Sequence, residues 1–373
     1  MTDQNWESLS PILSNFPSTP EMKRLLIIVF LILVSGIGIY LFVRGNSNQV
    51  INGPITVSDE PKEEVISEKV ASIMLFGDIM LDRRVYNLTK ENGDWAYPFQ
   101  NIEDIFDMAD ANIANLEGPI TSFESDAAKT NGMRFTASPL FVSELKKRFL
   151  ALSLANNHSL DFGEEGLRQT KRNLSEEGII FFGDYENRGD NTSAVISVNG
   201  IKFGLVGYHA LVEKNFDNVI LDFKRLKEIT DFIIVMPHWG EEYDELPSER
   251  QKADARLLID AGADAIIGGH PHVIQPVDTY KGKAIFYSLG NFIFDQYFSE
   301  EVKKGIAVKL GLKITPDGQE VIYEMIPVQN NRLSQPVIME KKETDALLEA
   351  FVMNSALTGA EREEISSFHR LTL

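Results

Sequence analysis

From residue 70 onward the sequence predicts an α/β fold, on three observations. Short runs rich in Ile, Val, Leu and Phe recur there, each of a length that suits a buried strand. Longer amphipathic stretches stand between several of them and close on glycine, as helices often do. A hydrophobic content of 43% with 10% aromatics supplies the apolar surface that helix-covered sheets must bury.

Three segments without that pattern come first. Residues 1–24 are a polar lead. Residues 25–43, LLIIVFLILVSGIGIYLFV, are 19 uncharged residues, about the length that spans a bilayer as a helix. A buried core helix seldom lacks polar residues on every face. A cleaved signal peptide would have a shorter lead and an Ala-x-Ala site, so the expectation is an uncleaved transmembrane anchor. Lys23 and Arg24 precede it and Arg44 follows, which tips the positive-inside rule towards a cytoplasmic N-terminus. The chain is therefore expected to be a single-pass protein of the cell membrane with its main domain extracytoplasmic. Residues 44–69, polar and carrying Gly, Pro and charge runs, read as a linker.

The strand candidates are VASIMLF, DMADANIANL, FLALSLA, GIIFFG, IKFGLVGY, DFIIVMP, ADAIIGG, KAIFYSLG and GIAVKLGLKI. FGEEGLRQTKRNLSEEG and PSERQKADARLLIDAG are helix candidates among them. AVKLGLKITPDGQEVIYEMIPVQ reads as an antiparallel hairpin turned at Pro316-Asp317-Gly318. Residues 70–330 thus form the main domain. Residues 331–373 read as a helical extension, one or two charged amphipathic helices on the domain's edge.

The formal charge is -19, which argues against nucleic acid as a partner. An anionic substrate would need Arg, Lys or metal at its site. Cysteine is absent, which excludes disulfides, thiolate zinc sites and cysteine nucleophiles, and suits an oxidising exterior.

Polar groups gather where the strand candidates end. Asp78, Glu117, Asn156-Asn157-His158, His238, and His270 with His272 each follow such a run. Active sites of α/β sheets form at those ends, where loops converge on a crevice. In GGHPHVIQP, residues 268–276, alternate residues of extended chain point to one side, so both imidazoles would face one ion. The Gly268-Gly269 pair would let the backbone turn closely beneath them. Imidazole and carboxylate without thiolate suit Mn, Zn or Fe, and an Asn oxygen leans towards Mn or Mg. A bridging carboxylate such as Glu117 would hold two divalent ions. One or two ions are expected.

FGDIMLDR, NLEGPIT, LANNHSLDFGEEGL, MPHWGEEY, GGHPHVIQP and YSLGNFIFDQ, in this order, resemble the CapA/PgsA family of poly-γ-glutamate capsule biosynthesis proteins, over about residues 72–330. That family in turn resembles the calcineurin-like metallophosphoesterases. The resemblance implies a two-sheet sandwich flanked by helices, four layers in the order α/β/β/α. It implies Asp78, Glu117 (bridging), Asn157, His238, His270 and His272 as metal ligands and His158 as the acid-base group. Met80 departs from the pattern, because metallophosphoesterases carry histidine there and methionine is a poor ligand for a hard ion.

Asp161 either orients His158 or caps the helix beginning near Phe162. Arg83 would meet a carboxylate or phosphate, or lies on a solvated helix face. Trp239 and Tyr243 shape a cleft or pack. Asn291 and Gln296 face the same end, and with Arg83 and Tyr243 they are the candidate substrate residues. Two functions remain. One is a metal-dependent hydrolase acting on an anionic polymer, a phosphoester or an amide. The other is a non-catalytic, polymer-binding or export component that works with membrane polyglutamate synthase subunits.

Overall fold

The structure, a computed structural model, describes residues 68–126, 133–189, 191–212 and 216–373. The expected lead 1–24, the anchor 25–43 and the linker up to residue 67 lie outside the described residues. Among the described residues no helix is long and apolar enough to cross a membrane.

The chain runs β1 (Lys69–Ile79), α1 (Arg83–Asn92), β2 (Ala111–Leu116), α2 (Val142–Arg148), β3 (Ala151–Ser153), α3 (Gly163–Glu176) and β4 (Ile180–Phe182). It continues with β5 (Ser193–Val198), β6 (Ile201–His209), α4 (Phe216–Leu226), β7 (Phe232–His238), α5 (Glu249–Ala261) and β8 (Ala265–Ile267). It ends with β9 (Ile274–Tyr280), β10 (Lys283–Leu289), β11 (Asn291–Ile293), β12 (Lys304–Thr315), β13 (Gly318–Asn330), β14 (Pro336–Ile338), α6 (Lys341–Met353), α7 (Gly359–Phe368) and β15 (Arg370–Thr372). α5 begins on a capping box, Ser248 with Gln251, and closes at Gly262, the start and stop signals its sequence carries.

Two sheets result. The nine-stranded sheet has the order β14-β13-β12-β1-β2-β3-β4, with β11 added to β1 and β15 to β13. The six-stranded sheet has the order β5-β6-β7-β8-β10-β9. Strands β1 to β4 are parallel, as are β6, β7, β8 and β10. Their side chains alternate between two apolar layers, as the period of a strand requires. Ile73, Leu75, Ile113, Ile234, Met236 and Phe286 meet between the sheets. Met74, Phe76, Ala114 and Leu152 face outward against α1, α2 and α3 through Val85, Leu145 and Leu174. On the other side Ile233, Val235 and Ile266 face Phe223 of α4 and Leu258 of α5. Three apolar layers between four layers of structure give the α/β/β/α order that was expected.

The hairpin forms as β12 and β13, with Thr315 opposite Gly318. The segment 331–373 departs from a purely helical edge. It holds two helices, but β14 and β15 also pair with β13, and Leu348, Phe351, Val352 and Ile365 join the layer between the sheets. The long β13 offers open backbone groups that these short strands satisfy. Strands β5, β9, β11, β14 and β15 carried no clear signal, being short or at sheet edges.

Candidate functional site

Because β1, β2 and β3 run parallel, as do β6, β7 and β8, the loops leaving them emerge along one rim of the two sheets. Asp78 is the penultimate residue of β1, Glu117 follows β2, the Asn156-Asn157-His158 loop follows β3, and His238 ends β7. Asp78, Glu117 and His238 are buried, and each offers a ligand atom such that all lie within 4.8 Å of one another. His238 Nε2 lies 2.8 Å from Asn157 Oδ1. His272 Nε2 lies 3.5 Å from Glu117 Oε1, and its Nδ1 lies 3.5 Å from Asp78 Oδ2. The rings of His238 and His270 are 4.8 Å apart. All six expected ligands therefore share one cluster.

The histidine pair reaches the cluster by a different route from the one expected. His270 and His272 are not in extended chain. Both hold positive φ, 95° and 59°, a conformation uncommon and costly for side-chain-bearing residues. This left-handed path turns the two rings, 6.0 Å apart, towards the carboxylates. Beneath it, a Cβ on Gly268 would stand 2.0 Å from the Tyr287 carbonyl oxygen and 2.6 Å from Trp239 Nε1. Those two atoms are themselves hydrogen-bonded at 2.7 Å, which ties Trp239 into the buried packing. Gly268→Ala is expected to destabilise the protein by about 3 kcal/mol, read from urea unfolding. A loss below about 1 kcal/mol would contradict the close approach.

The electrostatics suit a cation. Both carboxylate oxygens of Glu117 are buried without a hydrogen-bond partner, and so is His270 Nδ1. A bare buried carboxylate costs far more than it returns unless something positive faces it. Burial pushes the Glu117 carboxyl up to about 7. Burial also opposes charge on His272, but Glu117 and Asp78 outweigh it and hold that imidazole up to about 9. Burial and the neighbouring His272 push His270 down to about 4, and burial and His270 drive His238 well below its ordinary range.

The sign of the resulting pH dependence follows from linkage. His272 rises from 6.5 to about 9 on folding, so its contribution is complete below pH 6.5 and is lost as pH climbs through 9. In chelator, the Tm is expected to fall between pH 7 and pH 9. Affinity for a divalent ion should rise over the same interval, because ligation requires the unprotonated ring. A Tm in chelator that holds level or rises from pH 7 to 9 would contradict this.

A surrounding set of groups fixes the cluster, and most of it was not visible in the sequence. Asn115 Nδ2 donates to Asp78 Oδ1 at 2.8 Å and lies 3.4 Å from His238 Nδ1. Asn156 Nδ2 donates to Asn115 Oδ1 and to the Leu116 carbonyl. His158 Nδ1 lies 2.8 Å from Asp161 Oδ2, its ring stacks on Phe135 with centroids 4.0 Å apart, and its Nε2 faces Glu117 Oε1 at 3.7 Å. α3 begins at Phe162 without a side-chain cap, so Asp161 serves His158 and not the helix. Met80 is fully buried in the outer apolar layer, where its sulfur accepts the Asp82 N–H at 3.1 Å. It faces away from the ligands.

The candidate substrate residues divide. Asn291 is buried; its Oδ1 lies 3.0 Å from His272 Nδ1, while its Nδ2 donates to Gln296 Oε1 and the Val302 carbonyl. It thus orients the His272 ring instead of facing solvent. Gln296 Nε2 donates to the hydroxyl of Tyr243 at 3.2 Å, and Tyr243 is exposed at the rim. Arg83 pairs with Asp295 and covers the rings of Phe135 and Phe294 at 4.8 and 5.4 Å. Beside it opens a cleft of about 1000 Å³ lined by Arg84, Lys90, Ser122, Ser125 and Thr136 among others.

Comparison with known proteins agrees with the motif order. The "PGA biosynthesis protein CapA" of Bacillus subtilis strain 168 is 31% identical over 313 residues, covering 78% of this chain and 82% of the relative. The "Capsule biosynthesis protein CapA" of Bacillus anthracis is 32% identical over 284 residues, with 70% and 68% covered. A "Probable polyglutamine synthesis accessory protein" of Mycobacterium tuberculosis is 25% identical over 293 residues, with 69% and 76% covered. The model of the family described as "Bacterial capsule synthesis protein PGA_cap" matches residues 72–296, a stretch that holds every member of the buried cluster, and the chain belongs to that family.

Proposed function

We propose that this chain is a membrane-anchored protein of poly-γ-glutamate capsule synthesis. Its main domain, outside the cytoplasm, uses a divalent-metal centre to cleave or transfer a phosphoester or amide bond. The observation that carries the reading is Glu117, a fully buried carboxylate with neither oxygen hydrogen-bonded, set among Asp78, His238 and His272. Asp78, Glu117, Asn157, His238, His270 and His272 would hold the ion or ions, whose donor set of imidazole, carboxylate and amide suits Mn, Zn, Fe or Mg. Such an ion supplies charge neutralisation and acidifies water near neutral pH.

The chain's own residues do the rest. His158 is partly exposed, with a side chain 13% accessible, and its Nε2 faces the cluster at Glu117, so it would pass a proton to a leaving group bound there. Asp161 holds the other ring nitrogen and Phe135 the ring plane. Arg83 and the basic residues along the cleft would steady an anionic polymer by charge-assisted hydrogen bonds. The anchor at 25–43, with Lys23 and Arg24 before it, and the linker after it would tether this domain outside the cytoplasm, near synthase subunits.

A second reading is a polymer-binding or export component without turnover. It is favoured by Met80, which offers the centre nothing, and by the accessory role in the printed name of the mycobacterial relative. One experiment separates the two. The full-length chain is assayed for bound metal and for turnover of phosphodiester and γ-glutamyl substrates. Metal with turnover supports the hydrolase. Metal and polymer binding without turnover supports the accessory role, and absence of metal removes both.

A further inference from the structure

His209 and His369 are the two imidazoles that the motif order does not mark; His369 pairs with Asp345 in the C-terminal segment, whereas His209 lies beside the cluster. It ends β6 directly opposite His238 of β7, residue for residue across a parallel pair. Register partners in a sheet project to the same face. Here that face is the inner one, since Phe203 and Leu205 of β6 and Ile234 and Met236 of β7, at the same parity, all lie between the sheets. The two rings are 6.1 Å apart.

The ring of His209 is fixed on every side but one. Its backbone N–H donates to Asn187 Oδ1 and its carbonyl accepts from Asn187 Nδ2, both at 2.8 Å. Its Nδ1 lies 2.8 Å from the Tyr185 carbonyl oxygen. A carbonyl only accepts, so Nδ1 carries the proton and Nε2 presents a lone pair. That Nε2 is buried and has no hydrogen-bond partner, in a residue 1% exposed. Leaving a buried acceptor unsatisfied costs about 1–3 kcal/mol. An Nδ1–H tied to a carbonyl, with Nε2 bare, is the arrangement by which proteins aim imidazole at a metal.

The spacing agrees. Imidazole nitrogen binds a divalent ion at about 2.0–2.1 Å, which keeps the ring centroids of two such ligands within about 6.5 Å of each other. His238–His270 at 4.8 Å suits neighbouring ligands, and His209–His238 at 6.1 Å lies within the bound for two ligands on nearly opposite sides of the ion.

We propose that His209 Nε2 is a further ligand of the ion held by His238 and Asn157, a nitrogen donor added from β6 to a centre that receives none from Met80. The proposal rests on the reading of the cluster as a metal centre. The test titrates the chelator-stripped full-length chain with Mn²⁺, following free Mn²⁺ by EPR, and with Co²⁺, following its d–d absorption. Wild type, His209→Ala and His209→Gln are compared, with Tm in chelator as the fold control and His209→Gln retained should the alanine variant not fold. In the folded variants the expected result is Mn²⁺ affinity at least about ten-fold weaker and an altered Co²⁺ band, with a cooperative unfolding transition retained in chelator. Wild-type binding with unchanged affinity and an unchanged Co²⁺ band in the variants would overturn the assignment of His209 alone. No binding by wild type would overturn the metal-centre reading, and this proposal with it.

Discussion

Glu117→Ala is expected to weaken divalent-metal binding by more than about 100-fold, beyond the 10–100-fold typical of groups that only orient a ligand. The carboxylate is completely buried and neither oxygen has a hydrogen-bond partner. It sits 3.5 Å from His272 Nε2 and 3.7 Å from His158 Nε2, and no other acidic group occupies that middle position. Without an ion it is a cost to the fold, which burial expresses by raising its pKa to about 7. The same substitution should abolish the rise in Tm that metal gives wild type. Metal content is read by elemental analysis and Tm by calorimetry, with and without chelator. A variant that still gains Tm from metal at wild-type concentrations would remove Glu117 from the centre.

His158→Ala should behave in the opposite way. Metal content is expected to stay within error of wild type, because Asp78, Glu117, Asn157 and the other histidines are untouched. Turnover of whichever phosphodiester or γ-glutamyl substrate the wild type accepts should fall by about 10²–10⁴-fold, the usual worth of a positioned acid-base group. His158 meets the conditions for that role: Asp161 orients one nitrogen at 2.8 Å, Phe135 fixes the plane, and the other nitrogen faces the cluster at Glu117. Unchanged turnover would assign the proton to another group. Loss of metal together with turnover would show that His158 is a ligand.

The two variants together separate ion-holding from proton-handling, a division the motifs imply but local sequence does not explain. Asn157 and His158 are neighbours, yet one stands 2.8 Å from His238 and the other leans on Asp161 and Phe135. Asn291 shows the same limit from the other side. Its position after a strand suggested substrate contact, while the fold spends its amide on His272, Gln296 and Val302. His209 lacks a neighbouring histidine or asparagine to mark it, and only pairing of β6 with β7 sets it beside His238. Arg83 and Asp295 lie 212 residues apart, a separation over which no pattern could join them.

What the sequence determined by itself was periodic or local. The apolar runs that become the central strands, the Ser248 capping box, the hairpin at Pro316-Asp317 and the appearance of metal-capable groups at strand ends depend on neighbours a few residues apart. Tertiary structure alone decided which of those groups meet and in what posture. The left-handed turns at His270 and His272, the turning of Met80 into the apolar layer, the strands contributed by the C-terminal segment and the His209–His238 pair all arise from packing two sheets together. That packing depends on contacts between residues distant in the chain, where spacing along the sequence carries no information.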